Sequence, residues 1–175
     1  MSYLKAMSAI SRLFREIEVP YMLVGGFAVA YWGYPRQSLD IDIVIDLDKD
    51  NLEVLLKAAK KKGFSFDQRE AELIVQKGNR FVMELNDFRI DCWLPRSRFE
   101  KEALKRRKKK RVFGMNLNII GPEDLMLSKL LIGRERDMED IKTIILRQGK
   151  KLNSSYLKNQ AAVLDVDLLL KKELE

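Results

Sequence analysis

An α/β (α+β) fold, a mixed β-sheet flanked by helices and followed by a helical extension, is the class that the sequence predicts. Three observations carry it. Apolar residues recur every three or four positions near the N-terminus, short apolar runs cut by Gly, Pro, Asn and Asp fill the middle, and helical spacing returns after residue 121. The expected organisation is a core over 1–120 that includes the N-terminal helix, and a C-terminal helical region over 121–175 packed on it.

Leu4, Met7, Ile10, Leu13, Phe14 and Ile17 define one face of a helix from Ser2 to about Glu18, which Pro20 ends. Tyr21 to Val24 is too brief for a helix and reads as a strand. Gly25 and Gly26 then open a second helix ending near Gly33. Ile41 to Leu47 is rich in β-branched residues and predicts a strand. Asp48 to Lys62 predicts a helix with an aspartate cap and a stop at Gly63. Short strands are expected at 64–66, 73–76, 80–85 and 88–94, with a tight turn at Asn86-Asp87. A helix over 97–107 and a hairpin around Gly114-Met115-Asn116 follow. Pro122, Glu123 and Asp124 suit the first turn of a helix. Two or three helices are expected, near 122–133, 136–148 and 153–173, with the one linker at Gln148 to Ser155.

Composition narrows the chemistry. The 175 residues are 46% hydrophobic and 34% charged, contain one cysteine and lack histidine. Neither an intramolecular disulfide nor histidine-based catalysis is available, so carboxylates, amines, hydroxyls or a hard metal ion must do any chemistry. No apolar run approaches the roughly 20 residues of a membrane span, and the amphipathic N-terminus is unlike a signal peptide, so a cytoplasmic protein is expected. The net charge is +7, and the segment KEALKRRKKKR at 101–111 holds eight basic residues and one acidic, enough to supply all of it. Lys105, Arg106, Arg107, Lys108, Lys109, Lys110 and Arg111 are therefore candidate contacts for RNA phosphates, or else a solvated face. No aromatic residue interrupts the run, so base stacking is not expected from it.

Asp40 and Asp42 fall on one side of a strand whose Ile41 and Ile43 point to the core. Two adjacent carboxylates repel, and a magnesium ion, which takes one or two carboxylates plus phosphate oxygens, relieves that repulsion. Asp91, in FRIDCWL, is a third carboxylate in a strand of the same character. The adjoining Gly25-Gly26 bend precedes a helix N-terminus, where backbone N–H groups can meet a phosphate. Alone, the glycines read as a turn and the aspartates as solvated or arginine-paired; together they read as one site.

Gly25-Gly26, Gly33, Arg36, Ser38, Asp40-Ile41-Asp42 and the later Asp91 resemble the nucleotidyltransferase superfamily of the DNA polymerase β type. Within it, GGFAVAYWGYPRQSLDIDIVID is similar to the minimal nucleotidyltransferases and the AbiEii-like group of small prokaryotic proteins. GPEDLMLSKLLIGRERDMEDI resembles that group's later motifs, mapping them to Lys129, Arg134, Arg136, Asp137 and Asp140. The resemblance implies metal binding and catalysis by Asp40, Asp42 and Asp91, and nucleotide binding by Gly25, Gly26, Arg36, Ser38, Lys129, Arg134, Arg136 and Asp137. It implies magnesium-dependent transfer of a nucleoside monophosphate from an NTP, ATP among them, to a hydroxyl of RNA (tRNA) or a partner protein, in a toxin-antitoxin setting. The alternative is a non-catalytic nucleotide- or RNA-binding regulator or antitoxin of the same fold. Gly26 departs from the pattern, since many active members carry Ser there, and leaves only backbone donors at that position.

Overall fold

The computed structural model describes residues 2–36, 38, 40–77 and 80–174. Its centre is a seven-stranded mixed sheet in the order β3-β4-β5-β2-β1-β7-β6. Helix α1 (Tyr3–Glu16) opens the chain, capped by Ser2, and buries Met7, Ile10, Leu13 and Phe14. Strand β1 (Tyr21–Leu23) leads directly into α2 (Gly25–Trp32), and β2 (Ile41–Ile45) returns antiparallel to β1. Helix α3 (Lys49–Lys61) starts at Asp48, whose carboxylate accepts from the Asn51 N–H, and ends before Gly63 at φ +84°. Strands β3 (Ser65–Phe66), β4 (Arg80–Leu85) and β5 (Phe88–Trp93) complete that side of the sheet.

Strand β5 lies parallel to β2 and pairs Asp42 with Asp91, so both side chains leave the same sheet face. After α5 (Arg98–Lys105), strands β6 (Lys108–Val112) and β7 (Met115–Ile119) form a hairpin at the opposite edge, with β7 parallel to β1. Helices α6 (Pro122–Ile132) and α7 (Glu135–Gln148) pack on each other and on α2. The chain closes with α8 (Ser154–Val163) and α9 (Asp167–Leu174).

Four local expectations are corrected. Residues 73–76, expected as a strand, lie inside α4 (Gln68–Lys77). A run of three apolar residues has no period that separates helix from strand. The deciding features are the Asp67 carboxylate, which accepts from the Glu70 N–H and caps the helix, and the burial of Ala71. The second hairpin turns at Phe113-Gly114 rather than at 114–116, and its first strand consists largely of the basic run. Lysine is tolerated there because β6 is the sheet's edge. The last helix breaks in two where Asp165 takes φ +57°, a conformation that aspartate tolerates better than most residues. The stretch 148–155 is a compact 3-10 turn, Gly149–Lys151, followed by the Asn153 cap, rather than an open linker.

Candidate active site

The glycine bend and the carboxylates meet where β1 ends and β2 begins. The Val24 N–H donates to the Asp42 carbonyl, which fixes the bend against β2. Gly25 takes φ +58°, and a Cβ placed on it would overlap the Asp42 carboxylate at Oδ2. Only glycine satisfies both constraints. Val24, the cap residue, makes no side-chain hydrogen bond to the first-turn N–H groups of α2, so no cap side chain covers the positive end of that helix.

Asp42 is half-buried. Burial first, and then the neighbouring charge of Asp91, push its carboxyl above the ordinary carboxylate value. Asp91 is buried, and Arg80 and Arg89 each reach its Oδ1 at 3.2 Å. Asp40 is exposed at the entrance to β2. Among the described residues no three acidic, thiol or imidazole side chains form a ready-made metal cage. The arrangement is instead a repelling pair with a third carboxylate at its mouth. The donors are all oxygen, and two carboxylates leave positions for phosphate oxygens, which is the manner in which magnesium is usually held. The buried Cys92 thiol is pushed well up by burial and by Asp91, which removes it as a nucleophile.

Ser38 stands where the sequence lacks a hydroxyl. A Cβ on Gly26 would come within 2.5 Å of both Ser38 Cβ and Oγ, and 3.4 Å from an Arg36 guanidinium nitrogen. The Ser38 hydroxyl donates to the Asp40 carbonyl at 3.2 Å. The space beside the second glycine is therefore filled from the opposite wall of the loop.

Beside this corner lies a second charge group. Lys129, 5% exposed, donates to Asp137 Oδ1 at 2.9 Å and to Asp140 Oδ2 at 2.6 Å. Arg36 reaches both oxygens of Asp140 at 2.8 and 3.1 Å, and Arg134 Nε donates to Asp137 Oδ2 at 2.8 Å. Three cations thus face two carboxylates. Lys129 is enclosed and acts through Asp140 on Arg36, whereas Arg134 is exposed and senses the charge of Asp42. Arg136 is exposed on the first turn of α7.

The basic run divides. Arg106 is clamped bidentate on buried Asp124, which also accepts from the Tyr156 hydroxyl at 2.6 Å. Arg107 donates to the Leu104 carbonyl. Lys105, Lys108, Lys109 and Arg111 are exposed, and Lys110 lies with Nζ 5.5 Å from the centre of the Trp32 ring. Three residues at the carboxylate corner were not singled out from the sequence, Tyr3, Arg80 and Arg89, and Trp93, which the sequence suggests for the core, is instead exposed there. Burial, and then the charge of Asp42, push the Tyr3 phenol up to about 12. Trp93 hydrogen-bonds Asp42, and Arg80 lies 5.2 Å over its ring. The register Arg80↔Trp93 places these two together. The available signal was the 80–93 hairpin, whose alternation sets Arg89, Asp91 and Trp93 on one face.

Solved structures with this architecture carry one theme. An antigenic nucleotidyltransferase-like protein from Paracoccidioides brasiliensis superposes with a TM-score of 0.59 at 16% identity, covering 98% of this chain and 91% of that one. The chain has the nucleotidyltransferase fold. The antibiotic-resistance factor ANT(2'')-Ia matches with a TM-score of 0.58 at 13% identity, over 92% and 94% of the two chains. The lincosamide antibiotic adenylyltransferase LnuA, in its lincomycin-bound form, matches at 0.55 and 18% identity over 80% and 94%. No family profile and no curated protein sequence matches the chain. Among the described residues no helix is long and apolar enough to cross a membrane.

Proposed function

We propose that this protein is a nucleotidyltransferase that moves a nucleoside monophosphate from an NTP to a hydroxyl acceptor. The observation that carries the reading is Gly25 pressed against Asp42, with Asp91 in register beside it, at the N-terminus of α2 in a nucleotidyltransferase fold. Asp42, Asp91 and Asp40 would hold the magnesium ion, which when bound neutralises the polyphosphate and lowers the pKa of the acceptor hydroxyl. The repulsion that raises the Asp42 pKa is what a dication would remove.

The chain's own groups then divide the remaining work. The first-turn N–H groups of α2 and the Ser38 hydroxyl receive phosphate oxygens, Ser38 supplying the group that Gly26 lacks. Arg134, exposed near Asp42, pairs with the outer phosphates, and Arg36 is held against the bend by Asp140 and Lys129. Asp91, fixed by two arginines on one oxygen, orients the acceptor hydroxyl. The acceptor oxygen forms a bond to the α-phosphorus, the bond to the β-phosphate oxygen breaks, pyrophosphate leaves, and the hydroxyl proton passes to Asp91 or solvent. The acceptor is an RNA such as tRNA or a partner protein, in the toxin-antitoxin setting that the resemblance implies. The alternative is a non-catalytic regulator binding the same ligands.

Incubation with each labelled NTP, magnesium and either total tRNA or cell lysate tests this. Label in RNA or in a protein band, absent from Asp40→Ala plus Asp42→Ala, is the expected result. Magnesium-dependent NTP binding without transfer would favour the regulator, no NTP binding would end the transferase reading, and binding of neither NTP nor RNA would end both.

A further inference from the structure

A groove of about 560 Å³ lies at the far end of α2 from the glycine bend, lined by Phe27, Tyr31, Trp32, Pro35 and Phe113 together with Arg147 and Lys151. Seven helical steps along α2 put it roughly 10 Å from Gly25. In the sequence Phe27, Tyr31 and Trp32 lie far upstream of the basic run, whereas Phe113 follows it closely. The fold lays β6 beside α2 and brings them together, with Lys110 over the Trp32 ring. Lys108 and Lys110 alternate onto one face of β6, the sheet's outer strand, and Lys108 lies close to Gly121 at the start of α6. A cationic track therefore runs along the sheet edge into an aromatic groove.

Phe113 is the anomaly in this groove. It sits at the hairpin tip, 77% exposed, with φ +47°. With Gly114 at φ +78° it forms a two-residue turn of the kind that favours Asn-Gly. An exposed aromatic ring in a left-handed conformation gains little from burial and strains the backbone, so the fold does not account for it. The rest of the groove is rigidly built. Arg147 donates to the Ala30 and Gly33 carbonyls at the end of α2, and the Gln148 amide donates to the Trp32 carbonyl.

We propose that this groove is a stacking subsite for an unpaired base of a single-stranded nucleic acid acceptor, with Phe113 and Tyr31 as stacking faces and Lys108, Lys110 and Lys151 as phosphate contacts. It rests on the nucleotidyl-transfer reading only for the word acceptor. Aromatic faces combined with cations are the usual means of holding single strands, and Lys110 of the basic run reaches into this groove.

The test is fluorescence anisotropy with a short labelled oligoribonucleotide and with an abasic strand of equal length, in the absence of NTP and divalent metal. The decisive variant is Phe113→Asn, which creates the preferred turn sequence and should raise the thermal midpoint. Its affinity for the oligoribonucleotide should fall roughly 5- to 150-fold, the loss expected for one stacked base, while affinity for the abasic strand stays unchanged. Equal affinity for the two strands, or unchanged affinity in Phe113→Asn, overturns the proposal. A protein that stacks RNA but transfers nothing would fail the preceding reading alone. One that labels a partner protein and shows no stacking would fail this one alone.

Discussion

Two groups of buried charge lie side by side in this molecule and are built on opposite principles. Around Lys129 each carboxylate is satisfied, with Asp137 and Asp140 both holding the lysine and each holding an arginine as well. At the carboxylate corner, Asp42 and Asp91 are neighbours in register, and burial and then the charge of Asp91 raise the cost of charging Asp42. The first group locks α6, α7 and the loop carrying Arg36 into one arrangement. In the second, Arg80 and Arg89 hold Asp91, while Asp42 forms no ion pair among the described residues, which costs stability in the isolated chain. What differs is whether every carboxylate of the group has a cation from the polypeptide.

The largest expected consequence is at Asp42. Asp42→Asn should reduce nucleotidyl transfer by about a thousandfold or more, a loss of the size produced by removing a group that stabilises transition-state charge. The same substitution should stabilise the metal-free protein. The Asp42 pKa is raised in the folded state, so its cost is absent below the ordinary carboxylate value, develops as pH rises toward the folded value, and is complete above it. The gain in thermal midpoint should therefore appear at neutral pH and vanish in acid. Magnesium should raise the midpoint of the wild type and leave that of Asp42→Asn unmoved.

Next in size is the satisfied group. Lys129→Ala leaves two buried carboxylates short of a cation and should cost about 3–5 kcal/mol, read from the denaturant midpoint. Its pH dependence has the opposite sign to that of Asp42. Burial alone would raise the Asp137 pKa, but hydrogen bonds from Arg134 and Lys129 outweigh it and hold the carboxyl below its usual value. The stability that Asp137 contributes is present above the ordinary value and is lost as pH falls through the depressed one. Opposite pH slopes for Asp42→Asn and Asp137→Asn would establish the contrast; parallel slopes would remove it.

Gly25→Ala should be smaller in stability, about 1–2 kcal/mol for the left-handed backbone, with a further shift of Asp42 away from the overlapping methyl. Transfer should fall with it while the sheet stays intact by circular dichroism. Arg134→Ala should be mildest. Its side chain is 72% exposed, so the thermal midpoint should hardly move, whereas KM for the NTP should rise several-fold with kcat largely kept.

Much of this architecture is legible in the linear sequence, for identifiable reasons. The Asp40-Ile41-Asp42 alternation states which residues face the core, the Asn86-Asp87 pair states a turn, and Asp48 followed by helix formers and then Gly63 states a helix. Each is a short-range rule acting within a few residues. Residues 73–76 escaped because a three-residue apolar run satisfies both periods, and the basic run escaped because its status as an edge strand depends on the neighbour that β7 provides. Tyr3, Arg80, Arg89 and Trp93 reach the carboxylates from segments whose proximity no local pattern encodes.

By itself the sequence determined the glycine bend, the alternation of the carboxylates and the helical character of both ends, because backbone conformation and facing follow from nearest-neighbour sterics and polarity. Only the tertiary structure decided that Asp91 stands beside Asp42, that Ser38 fills the place left by Gly26, that Lys129 is enclosed rather than exposed, and that aromatics from α2 line a groove beside the lysines of β6. Those are distances between remote segments, set by how the sheet and helices pack, and charge acts through distance.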